Sequence, residues 1–119
     1  MNIRMGLAAI TFLALLASTT CFASSVTGPI QILRSLKPAN GGPARIAIMI
    51  TGAATGCSVT GWYAFENGDT GVGKVWASFL LTAYTLGKDI TVVGDGVCHT
   101  YSDLGPTTTL EGVGRVELQ

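Results

Sequence analysis

Histidine occurs once in this chain, at position 99, and cysteine three times, at 21, 57 and 98. A zinc site built from Cys and His at ligand spacing therefore has no basis in the sequence, and no metal or cofactor is expected. Nucleophile-and-base chemistry would have a single imidazole to work with, beside a cysteine, so no catalytic residue is assigned. Charge is also scarce: seven Lys and Arg balance seven Asp and Glu, and together they make up 12% of the chain. No basic stripe marks a nucleic-acid interface, and no polybasic run suits an anionic membrane. No apolar run reaches the roughly 20 residues that a spanning helix needs.

Near the start of the chain, residues 1–23 read as a signal peptide. Arg4 supplies a positive n-region, and residues 7–17 are apolar apart from Thr11. Small residues follow, and cleavage after Ala23 would place Cys21 at −3 and Ala23 at −1. Lipid attachment at Cys21 is the alternative, although Ser18 stands where such sites want an aliphatic residue. The expectation is a secreted or periplasmic protein with no membrane insertion once the signal is removed. Residues 24–119 then form one domain of 96 residues, with six basic against seven acidic side chains and a net charge of −1. So little charge is compatible with large contact faces in an oligomer.

Cys57 and Cys98 remain after processing, and in an oxidising compartment two cysteines allow one intramolecular bridge. The alternatives are two free thiols or a bridge between chains. A Cys57–Cys98 bridge would close a loop that the chain-entropy model values at about 4 kcal/mol.

The pattern along the chain gives strands over residues 29–36 (PIQILRSL) and 45–51 (RIAIMIT), separated by a loop dense in Pro, Gly and Asn. Ile46, Ile48 and Ile50 alternate with other residues, which is the clearest strand signal. Residues 61–66 (GWYAFE) give a third strand. Val72, Val75, Trp76, Phe79 and Leu80 then recur at helical spacing, forming one face for the core or for an oligomer contact. Asp69 or Thr70 can cap this helix and Gly87 can end it. Strands follow over residues 89–93 and 113–118, with Gly94-Asp95-Gly96 read as a turn or bulge and residues 101–109 as a loop.

The chemistry worth weighing lies after Cys98. His99, Tyr101, Ser102 and Asp103 offer an imidazole, a ring, a hydroxyl and a carboxylate in one short stretch. That combination suits sugars, because rings stack on C–H groups while oxygens bond hydroxyls. Gly71-Val72-Gly73-Lys74 lacks the spacing and the hydroxyl of a phosphate loop, and Gly94-Asp95-Gly96 lacks the ligands of a calcium loop.

Three strands, a helix and two strands is the order of the OB-fold, a small five-stranded barrel. The fold class expected is thus mainly β with one helix, an OB-like barrel of order β-β-β-α-β-β. The stretch GKVWASFLLTAYTLGKDITVVGDGVC with the later EGVGRVEL resembles the cell-binding B subunits of bacterial A-B toxins of the subtilase-cytotoxin and pertussis-like kind. The features that carry the resemblance are Leu80, Leu81, Ala83, Gly87, Lys88, Val92, Val93 and Cys98. It implies a non-catalytic, glycan-binding module, a homopentamer with helices facing a central pore, cell-surface glycans as ligands and a toxin A subunit as partner. None of that family's glycan contacts maps onto a position here. The other reading is a secreted or periplasmic domain that binds another protein in a structural or inhibitory role.

Overall fold

The computed structural model describes residues 23–37, 41–101 and 107–119. Its elements are β1 (Ser25–Leu36), β2 (Arg45–Ile50), β3 (Trp62–Glu66), α1 (Gly71–Leu86), β4 (Asp89–Thr100) and β5 (Thr109–Leu118). The expected order of three strands, one helix and two strands is present. Of residues 1–23, read above as a signal peptide, residues 1–22 lie outside the described residues.

Every strand has two neighbours, in the order β1-β2-β3-β5-β4 with β4 returning to β1. Four of the pairings are antiparallel, and β3 runs parallel to β5 through Tyr63↔Glu111 and Ala64↔Gly112. A sheet that closes on itself leaves no long row of unpaired backbone groups. Its inward side chains fill the centre. Ile48, Ile50, Tyr63, Ile90 and Val92 of the sheet, with Leu80 of α1, are all buried to 1% exposure or less. The Ile46-Ile48-Ile50 alternation therefore does mark an inward face.

The other face of β2 is covered as well. Ala47, Ala64, Tyr101 and Leu110 form a second small cluster, with Val59 and Trp62 packed against it. The loop over residues 51–61 contributes Val59 to that cover and is fastened to β5. Ser58 N donates to Thr109 Oγ1 at 3.0 Å, and Val59 N donates to the Thr109 carbonyl at 3.2 Å. The Cys57–Cys98 disulfide is formed, with 5.5 Å between Cα atoms. It ties this loop to β4, so the expected bridge spans the helix as its spacing implied.

Three strands are longer than the sequence pattern suggests, and one of them, β4, runs on past residue 93 to Thr100. The sequence pattern starts the first strand at residue 29, yet Ser25 to Pro29 pair with β4 from Val93 to Asp89. The last strand begins at Thr109, inside the stretch read as loop. Polar residues and glycines conceal these extensions, because Ser, Thr and Gly carry weak strand signals even where neighbouring strands supply backbone bonds. Gly94-Asp95-Gly96 is a bulge within β4, where the register to β5 shifts between Val93 and Cys98.

The helix ends as expected at Gly87, in the left-handed conformation with φ 63°. Thr70 is the N-cap, but its side chain makes no capping bond. Of the expected helix face, Leu80 is fully buried, and Trp76 and Phe79 are half-buried. Trp76 meets Phe65 edge-on, with ring centroids 5.4 Å apart. Val72 and Val75 face outward at 62% and 49% exposure.

Candidate functional site

The β4 bulge, the end of β4 and β5 together frame a polar cleft of about 310 Å³. Glu66, Asp95, His99 and Tyr101 contribute to its wall, and Gly112 lies at its base. Its size falls at the small end of ligand pockets.

Asp95 is held by two bonds that the bulge creates. Val97 N donates to its Oδ1 at 2.8 Å, closing a turn two residues long. His99 Nε2 donates to its Oδ2, also at 2.8 Å. The pair remains open to solvent, with side-chain exposures of 43% for His99 and 31% for Asp95. Gly112 on the neighbouring strand makes room for it, because a Cβ there would overlap both Asp95 Oδ2 and the His99 ring. Glycine at that position is thus a condition for the dyad. The remaining imidazole nitrogen and the carboxylate lone pairs are free in chemical type to bond a hydroxylated ligand.

Tyr101 is in the cleft wall but is not an open stacking platform. It is 4% exposed, and the Arg45 guanidinium carbon sits 4.2 Å from its ring centroid. Arg45 is itself buried and lies 3.7 Å from the exposed Glu66 carboxylate. A row Glu66–Arg45–Tyr101 thus backs the Asp95–His99 pair, and the His99 and Tyr101 rings stand 6.5 Å apart. Ser102 and Asp103, the other two residues singled out by the sequence, lie outside the described residues.

The more accessible ring is Trp62, in a neighbouring apolar cleft of about 240 Å³ that Arg34, Leu36 and Val59 also line. The Arg34 guanidinium carbon is 5.2 Å from the Trp62 ring centroid, a cation–π contact. Sequence reasoning therefore brought His99 and Tyr101 to one site and missed Asp95, Glu66 and Arg45. The i, i+4 spacing of Asp95 and His99 hid their meeting. In a regular strand such residues lie about 13 Å apart, and only the bulge folds one back on the other.

No helix among the described residues is long and apolar enough to cross a membrane. Compared with models of protein families, with curated proteins and with solved structures, the chain matches none of them.

Proposed function

We propose that this chain is an exported, non-catalytic binding domain with an OB-like barrel, and that its ligand is a glycan held in the Asp95–His99 cleft. The observation that carries the reading is the cleft itself. It offers carboxylates from Glu66 and Asp95 and an imidazole from His99, all converging on a space the size of one or two sugar rings. Sugar hydroxyls need both donors and acceptors, and this wall supplies both. The disulfide fits an oxidising compartment and so supports export. The closed order β1-β2-β3-β5-β4, with the helix between β3 and β4, supports the barrel reading. By the resemblance given above, the proposal extends to a toxin-B-subunit-like homopentamer with an A subunit as partner.

A glycan array probed with the purified processed domain tests the reading. Enrichment of one glycan class, abolished by Asp95→Asn or His99→Ala with the fold intact by circular dichroism, is the expected outcome. Asp95→Asn removes the charge from a hydrogen-bond acceptor and His99→Ala removes a bonding group, so affinity should fall about tenfold or more. An array with no glycan above background would rule the glycan out.

The exposed apolar residues of α1 favour a second reading, that the domain binds a protein in a structural or inhibitory role. Val72, Val75, Leu81, Tyr84 and Leu86 are each between 49% and 62% exposed, and large apolar side chains grouped on one element often mark a contact face.

A further inference from the structure

Glu111 is the only buried carboxylate among the described residues, at 0% exposure. Acidic side chains are almost never fully buried without a partner. Yet none of the ion pairs among the described residues involves Glu111. Its hydrogen bonds come from a single residue. Ser24 N donates to Oε2 at 3.1 Å, and the Ser24 hydroxyl donates to Oε1 at 2.9 Å. The same hydroxyl is 2.7 Å from Tyr63 Oη, and Gly94 N donates to the Ser24 carbonyl at 2.8 Å. Gly94 makes the arrangement possible, because a Cβ there would overlap the Glu111 carboxylate. Three strands thus converge on Ser24, while Ala23 just before it is exposed.

We propose that the Glu111 pocket is a receptor for a free α-ammonium group on Ser24, installed when the Ala23–Ser24 bond is hydrolysed during export. The inference rests on the export reading, which puts signal cleavage after Ala23. Water adds across that amide: the Ala23 carbonyl carbon gains the oxygen and departs with the leader as a carboxylate. The Ser24 nitrogen gains the protons and stays as an ammonium. Before cleavage the nitrogen is a neutral amide with one proton. Afterwards, the same nitrogen carries a positive charge and three protons against a buried anion. The bond to the amide is charged on the acceptor side alone, whereas the ammonium adds a full opposite charge and two further donors to the same carboxylate. Processing therefore completes the core electrostatically, and a chain that keeps its leader lacks that cation.

The test compares the exported chain, expressed with its own leader, with a form that keeps one extra residue before Ser24, both in wild-type and Glu111→Gln backgrounds. Intact mass of the exported chain reads the cleavage site. A start other than Ser24 would overturn the processing step and, with it, the export reading's cleavage position. Denaturant unfolding reads the pair. The chain starting at Ser24 should have an unfolding constant about ten- to a hundredfold smaller than the extended form, and Glu111→Gln should abolish that difference. Equal stability of the two starts, or a difference that survives Glu111→Gln, would overturn the ammonium site even where the mass is correct. A measurement on the unmutated protein covers the case in which Glu111→Gln does not fold. Amine-reactive labelling of Ser24 at neutral pH should be at least about tenfold slower in the native than in the denatured chain, since a paired ammonium is a poor nucleophile. Equal labelling rates would count against it.

Discussion

Tyr63 sits at the centre of the closed sheet with no exposed surface, and its hydroxyl is shared with Ser24. Burial, the largest influence, pushes its phenol above the ordinary tyrosine range. The Ser24 hydrogen bond pulls it down, and the nearby Glu111 carboxylate pushes it up again, leaving it raised. In the unfolded chain the same phenol loses its proton near pH 10. Above that pH the native state binds more protons than the unfolded one, so stability falls as pH rises. Below it both states are protonated, and Tyr63 contributes no slope. Denaturant unfolding across the alkaline range should show this loss in the wild type and a flatter limb in Tyr63→Phe. The variant should also be about 1 kcal/mol less stable at neutral pH, from the lost hydrogen bond. An unchanged alkaline slope in Tyr63→Phe would disprove the assignment.

Single residues also show where the sequence stops being legible. Glu111 reads as one more carboxylate in a glycine-rich stretch, yet it is fully buried. Nothing local distinguishes it, because its environment is made by Ser24, 87 positions away, and by the missing side chain of Gly94. The cleft shows the same pattern. His99 stands out as the only histidine, but Asp95 becomes its partner only through the bulge, and Gly112 matters only for the Cβ it lacks.

At the scale of elements, periodicity served well where one face was apolar. The isoleucine alternation of β2 and the 3-and-4 spacing of α1 both identified real elements. The helix pattern did not reveal how the helix is turned. Gly73, Leu80 and Ala83 are its buried positions, whereas Val72 and Val75 point outward. Gly73 is buried because the chain arriving from β3 passes close by, and a Cβ at this position would overlap the Asn67 carbonyl. Alanine normally stabilises a helix by up to about 1 kcal/mol over glycine. At position 73 the sign should reverse. Thermal unfolding of Gly73→Ala should show a loss of about 1–3 kcal/mol, the range for overpacking. A more stable variant would mean that the Asn67 turn yields easily.

The whole molecule raises the question of its assembly. The buried stripe of α1 is flanked by Val75 and Leu86 on one side and by Leu81 and Tyr84 on the other, all at least 49% exposed. With 12% charged residues in the chain, little competes with apolar association there. If the proposed homopentamer forms, light scattering after size exclusion should return about five times the chain mass. Val75→Lys together with Leu86→Glu should then release monomers, since buried charges without partners are costly. A monomeric wild type at micromolar concentration would end the pentamer reading and leave the helix face to a different protein.

Strand β1 is divided between two partners. Residues 25–29 pair with β4, and residues from Ile30 onward pair with β2. The second pairing is available to the chain early, across a short loop. The first must wait for residues 89–93, sixty or more positions later. A polypeptide emerging from its N-terminal end therefore threads most of its length before the ring can close. Such non-local pairing belongs with folding on the order of milliseconds to seconds, not microseconds. Until residues 89–93 are in place, the first half of β1 has no partner strand, while its second half can already pair with β2.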